Sequence, residues 1–220
     1  WVNSYAAGGN DILSDEEISK LTAITLNGTM GEFGGVVKDL TGIEIFKNLT
    51  YLNVTSCDLS SIDFNKTPKL TELWVDNNAK LGTIDVSMLS DLEFLSADGC
   101  GLDSIDVSHN EKLKKLYCMR NNLTSIDLSH NPELTLIHLS GNDLTTLDLT
   151  HNPKLETVSV HSNELTSIDL SQCHAIRSLF AHTNHLTSID VSQMPDLFWL
   201  EVFGNDMTSL DVTANPKMSA

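Results

Sequence analysis

One residue recurs through most of this chain at a fixed interval. Asp63, Asp85, Asp106, Asp127, Asp148, Asp169, Asp190 and Asp211 form a column. Every step is 21 residues except the first, which is 22 because the segment around 77–81 carries one residue more than its counterparts. A block L-x-x-L-x-L-x-x-N-x-L runs at the same period. Its first position falls at Leu49, Leu70, Leu92, Leu113, Leu134, Leu155, Ile176 and Leu197, and a ninth unit begins at Met218. Such a period constrains the fold more than any local propensity, because each unit is too small to bury its own apolar face and must stack on its neighbours.

Within a unit the apolar residues alternate. Leu134, Ile137 and Leu139 are predicted to face inward, as are Leu144, Leu147 and Leu149, with Thr146, Asp148 and Thr150 between them. Period two is the pattern of a strand with one buried face. The Asp column therefore belongs on the solvent side, its carboxylate accepting local backbone N–H groups as Asp does in turns. Carboxylates stacked roughly 5 Å apart repel by about 1 kcal/mol or less per neighbour in water. A calcium ladder is the alternative reading, but the glycine-rich motif of calcium solenoids is absent. Asn78, Asn121, Asn142, Asn163, Asn184 and Asn205 form a second column, with Cys57 and Cys100 in two of its places. It is predicted buried, its amides bonding successive backbone turns. All five prolines (Pro68, Pro132, Pro153, Pro195, Pro216) share one turn column, where a fixed φ is useful and no N–H is needed.

These units resemble leucine-rich repeats. The short form L-T-S-I-D-L-S-x-N-P-x-L, seen at 123–134, resembles the 21-residue bacterial variety of the internalin J type over about 172 of the 220 residues. The resemblance implies a leucine-rich repeat solenoid with a parallel β-sheet on the concave face, a mostly extended and turn-like convex side, and a small helical N-terminal cap. It also implies a bacterial, extracellular or cell-surface protein, adhesive or otherwise engaged in recognition, with no cofactor. Internalin J repeats resemble L-x-x-L-x-C. Here only Cys118 occupies that sixth position, so no role of a cysteine ladder carries over.

Two regions are expected: a helical cap and lead-in over 1–48, and the repeats over 49–220. A short helix is expected over 1–6, and Ser14 with Glu17 forms a capping box that opens another. Residues 6–17 resemble a calcium loop of the EF-hand or dockerin kind, with Leu13 at its eighth and Glu17 at its twelfth position. It is degenerate: Ala6 and Gly8 stand at ligand positions, and Asp11 stands where glycine makes the turn. The segment from Leu21 reads as a degenerate first strand, and the stretch holding Gly31, Gly34 and Gly35 as a surface loop. With no polar cover on the last unit, the native chain is expected to continue.

Net charge is −17, which argues against nucleic acid or an anionic membrane as partner. No apolar run approaches the length of a membrane span. Cys57, Cys100, Cys118 and Cys173 occupy three columns. The two that share one stand two rungs apart, about 10 Å, too far for a disulfide, so all four are expected reduced and mostly buried.

Function belongs in the columns that do not repeat. The outward third, fifth and seventh positions of the main strand give 24 side chains, and these hold seven of the 13 aromatics. Aromatic residues are enriched at interface cores. The candidate ligand-binding residues are Tyr51, Glu72, Trp74, Asp76, Phe94, Lys115, Tyr117, Met119, His138, His161, Phe180, His182, Trp199 and Phe203. They divide into one patch around Trp74 and another around Phe180, and the ligand class is protein or carbohydrate. His161 and His182 occupy adjacent rungs, but no carboxylate or thiolate completes a metal set beside them, and no metal is assigned. His109, His130 and His151 are read as turn residues. No nucleophile elbow, HExxH helix or phosphate loop is present, so no catalytic residue is assigned. The alternative function is a spacer or targeting module of a larger protein.

Overall fold

The structure, a computed structural model, describes residues 14–26 and 37–218. The expected helix over 1–6, most of the loop 6–17 and the glycine-bearing segment 31–35 lie outside them. The capping box forms as the sequence requires. Ser14 Oγ accepts the Glu17 N–H while the Glu17 carboxylate accepts the Ser14 N–H, opening helix α1, Asp15–Lys20.

Nine parallel strands among the described residues make one sheet in sequential order. They are β1 (Ala23–Thr25), β2 (Tyr51–Asn53), β3 (Glu72–Trp74), β4 (Phe94–Ser96), β5 (Lys115–Tyr117), β6 (Leu136–His138), β7 (Thr157–Ser159), β8 (Ser178–Phe180) and β9 (Trp199–Glu201). β1 is the degenerate strand expected before the first full unit. Register is unslipped: Leu52 pairs with Leu73, Leu73 with Leu95, and so on to Leu179 with Leu200. A slip of one residue would turn the buried leucines to solvent. The first-position column from Leu49 to Leu197 is fully buried, in one continuous core with Leu26, Leu40, Ile43 and Phe46 of the lead-in.

The Asp column lies outside, as its alternation predicts. Asp127 Oδ1 accepts the Ser129 N–H at 2.9 Å, and the same bond repeats at Asp85, Asp106, Asp148, Asp169, Asp190 and Asp211. Hydrogen bonds from the hydroxyl and the N–H of that same Ser or Thr hold each of these carboxyls below its ordinary range. Pro132 stands second in a turn closed by the Leu134 N–H on Asn131 O, the position where its fixed φ fits.

Two asparagine ladders stitch the rungs, one predicted and one not. In the predicted one, Asn142 Nδ2 donates to Cys118 O and Leu139 O, both at 2.9 Å, and its Oδ1 accepts the Leu123 N–H at 3.1 Å. The second runs through Asn110, Asn131 and Asn152 in the turn column, all fully buried. Asn131 Nδ2 donates to Val107 O and Asn110 O, while its Oδ1 has no partner. The cysteines are unpaired and buried. Three of them stand in for asparagine: the thiols of Cys57, Cys100 and Cys173 donate to Leu26 O, Val75 O and Leu149 O. Cys100 cannot accept an N–H as an amide oxygen does. The extra residue of the preceding rung resolves this, because the Leu81 N–H turns back onto Asn78 O instead. The 22-residue step and the Cys100 substitution are two halves of one change.

Candidate functional site

Each main strand presents its third and fifth residues outward, and the chain then turns sharply. Ser56, Asn77, Gly99, Arg120, Gly141, Ser162, Thr183 and Gly204 all take positive φ, between 52 and 68°. Only glycine adopts this without steric cost, yet five of these eight are not glycine. The turn directs the residue before it, the seventh position, back over the sheet edge.

The candidate residues are not two patches. Rings on seven successive rungs form one ladder. Trp74 stacks on Phe94 with centroids 4.4 Å apart, Phe94 lies 5.4 Å from Tyr117, and Tyr117 meets His138 edge-on at 5.8 Å. His138 meets His161 at 6.3 Å, His161 stacks on His182 at 4.2 Å, and His182 on Phe203 at 4.4 Å. The line crosses from the third and fifth columns to the seventh, so the histidines join what a column-by-column reading separates. Phe180 and Trp199 form a side branch, 5.8 Å apart. Trp199 and Phe203 are both more than half exposed, at 52% and 64%.

Each tryptophan is anchored by a carboxylate of its own strand. The Trp74 indole N–H donates to Glu72 Oε1 and the Trp199 indole N–H to Glu201 Oε1, both at 2.8 Å. Satisfying the polar handle leaves the ring as apolar surface. Tyr51 lies one rung outside the ladder, half-buried, with its hydroxyl accepting a long bond from Asn53 Nδ2. Lys115 is exposed on β5.

Asp76 departs from the outward reading. It is buried, and its carboxylate accepts from Ser96 Oγ, the Asp98 N–H and, at longer range, Thr55 Oγ1. It braces adjacent turns rather than facing a ligand. Asp98 has one such bond, from the Met119 N–H at 2.6 Å. Desolvation, with Asp76 beside it, pushes its carboxyl up to about 6. Half-buried Met119 thus offers its side chain to the face while its backbone is committed to Asp98.

Between the two aromatic ends lies a groove of about 340 Å³. Its floor is Leu136, Thr157 and Ser159, and its walls are Tyr117, His138, His161, His182, Phe180 and Glu201. It exists because β7 carries small residues where β5 and β8 carry rings. Burial lowers the basicity of His138 and His161, and the neighbouring imidazole lowers each further. Nδ1 of His161 and of His182 lies within bonding distance of the following hydroxyl, Ser162 Oγ at 3.2 Å and Thr183 Oγ1 at 3.1 Å. The two rings stack rather than converge, and no group of three or more His, Cys, Asp or Glu among the described residues has the arrangement of a metal site. Thr157, Ser159 and Glu201 are outside the candidate set. Glu201 had a signal, since Trp-x-Glu at 199–201 mirrors Glu-x-Trp at 72–74. A second cavity of about 230 Å³, lined by residues such as Thr41, Glu44 and Lys66, contains no candidate residue.

No protein-family model and no curated protein matches the chain. Solved structures do. The functional domain of internalin J from Listeria monocytogenes, which includes a cysteine ladder, superposes with a TM-score of 0.85 at 29% identity, covering 94% of this chain and 45% of that one. A leucine-rich repeat protein of Leptospira interrogans gives 0.69 at 21% identity, covering 84% and 57%. Internalin C2 of Listeria monocytogenes gives 0.67 at 18%, covering 99% and 87%. The present chain thus spans less than half of the internalin J domain it matches. Unslipped parallel rungs, a period of about 21 residues and this likeness make the chain a leucine-rich repeat solenoid similar to internalin J.

Proposed function

We propose that this chain is a non-catalytic recognition module whose concave face binds a protein or glycan, in the setting of a bacterial surface or secreted protein. The observation that carries the reading is the ring ladder from Trp74 to Phe203 with its side branch at Phe180 and Trp199. It lies outside the columns that repeat in every rung, the Asp column and the asparagine ladders, which make their bonds independently of it. Aromatic side chains in a shallow groove with polar residues at its rim are the composition of an interface core. The likeness to internalin J supports the setting.

The test compares the parent chain with a variant carrying Trp74→Ala, Tyr117→Ala, Phe180→Ala and Trp199→Ala, under conditions where both are fully folded by circular dichroism. Each is immobilised and exposed to defined cell-surface proteins and a glycan array. We expect ligands retained by the parent to lose at least about tenfold in affinity on the variant, the scale of truncated hot spots. Equal retention by both would overturn the reading and favour a spacer module within a longer protein.

A further inference from the structure

The groove between the aromatic ends has an uneven charge. Of the residues that line it, Glu201 alone carries a fixed charge, and no lysine or arginine is among them. Its Oε1 is engaged by the Trp199 indole, while Oε2 faces the groove 3.8 Å from His182 Nε2. The walls include the rings of Phe180 and Tyr117, and the floor has the hydroxyl of Thr157 and that of Ser159, the latter bonded to Ser140 Oγ at 2.8 Å. A chain of net charge −17 adds a long-range field that favours cations. A planar cation that stacks on an aromatic face and donates to the remaining carboxylate oxygen matches these features.

We propose that this groove is a guanidinium pocket. It takes an arginine side chain of a protein partner, held by Glu201 and by the ring of Phe180 beside it, and it releases that side chain on acidification. The inference rests on the concave-face reading and names the partner chemistry of that face.

Acid release follows from the geometry of the walls. His161 and His182 stack 4.2 Å apart, and His138 meets His161 edge-on. Protonation places cations beside the guanidinium and draws the Glu201 carboxylate toward His182. Other charged or titratable groups near this stretch are Glu201 from β9, Tyr117 from β5, Lys115 from β5 beside Leu136, Arg120 from the turn after β5, and Asp98 beyond Tyr117 from the turn after β4. Arg120 opposes protonation of His138, and Glu201 favours that of His161. The groove is therefore cation-accepting while its imidazoles are neutral and cation-repelling once they are charged.

The experiment titrates the protein with N-acetyl-arginine methylamide and follows the histidine ring signals by NMR. N-acetyl-citrulline methylamide, nearly isosteric and uncharged, is the control, with N-acetylglucosamine as the sugar arm. At pH 7.5 we expect saturable shifts at His161 and His182 with the arginine compound and binding at least about tenfold weaker with citrulline, the scale of a lost charge-assisted bond. Glu201→Gln should weaken arginine binding to a similar degree. Lowering the pH to 5 should do the same in the parent but not in a His138→Gln, His161→Gln, His182→Gln triple variant, whose binding is followed through the backbone amide signals of Thr157 and Ser159 on the groove floor. Equal response to citrulline, saturation by the sugar alone, no response to any probe, or acid sensitivity that survives the triple variant would each overturn the proposal. Those results leave the concave-face reading to its own capture test, which uses no arginine probe.

Discussion

Asn142 offers the sharpest test of what holds one rung to the next. Replacing it by alanine removes two donated bonds, to Cys118 O and Leu139 O, and one accepted from the Leu123 N–H. The two carbonyls each keep a second donor, Asn121 Nδ2 on Cys118 O and Asn163 Nδ2 on Leu139 O, so the Leu123 N–H alone is orphaned in the core. A buried group deprived of its partner costs about 1–3 kcal/mol. One orphaned N–H at about 1–3 kcal/mol and two lost bonds at about 0.5–1 kcal/mol each, with some relief from water entering beside a residue 6% exposed, give about 2–4 kcal/mol. Asn142→Cys should fall between alanine and parent. The Cys100 thiol shows that sulfur can serve the carbonyl of the preceding rung. What it cannot serve is the Leu123 N–H, and the rung before Asn142 lacks the extra residue that rescues Leu81. Urea unfolding monitored by circular dichroism gives the totals, and amide exchange at Leu123 gives the local cost, which matters because a repeat array need not unfold in two states. A loss below about 1 kcal/mol for alanine, or a cysteine as costly as alanine, would refute this account of the ladder.

Three further outcomes follow. Asp98 has its carboxyl raised from 3.8 to about 6, so its ionisation destabilises the folded chain as pH rises through that window. The rise corresponds to about 3 kcal/mol undiminished, and partial exposure reduces it to about 1–2 kcal/mol. Asp98→Asn should therefore be more stable than the parent above pH 6 and equal to it below about pH 4, as read by thermal melting; equal melting at pH 8 would refute this. The Asp column behaves in the opposite sense, because its carboxyls are held low. The stability advantage of the parent over Asp127→Ala should be full above about pH 4 and shrink as acid protonates the turn; a gap that stays constant to pH 2.5 would count against it. Thr183 holds φ +55 with a β-branched side chain where Gly99, Gly141 and Gly204 sit in other rungs. Thr183→Gly should stabilise by about 1 kcal/mol, and a destabilised variant would show that the Thr183 hydroxyl beside His182 outweighs the strain.

What the sequence made legible was whatever repeats. Asp127 recurs with Ser or Thr two residues on, and that spacing alone foretells its turn. Leu52, Leu73 and Leu95 foretell the register. The ring ladder was half legible. The columns place Trp74 and Tyr117 together on the fifth position, but the ladder moves to the seventh between His138 and His161, and no single column records a contact that crosses columns. The buried Asp76 was hidden because its neighbours on the rung, Thr55 and Ser96, belong to different repeats and look like ordinary outward residues. The second asparagine ladder was hidden by its place: Asn110, Asn131 and Asn152 sit in a Ser-His-Asn or Thr-His-Asn turn, where asparagine has a local reason to occur.

The ladder also acts as a ruler. From Trp74 to Phe203 it crosses six steps, roughly 29 Å at about 4.8 Å per step. An extended peptide advances about 3.4 Å per residue and repeats its side chains on one face every second residue, about 6.8 Å. Laid along the axis, such a strand falls out of step with the rings after a rung or two. The two tryptophan ends are therefore incommensurate with a simple linear peptide running along the axis. A linear peptide that reaches both ends meets the rings between them out of step, whereas a folded surface sets its anchor spacings independently of a strand repeat.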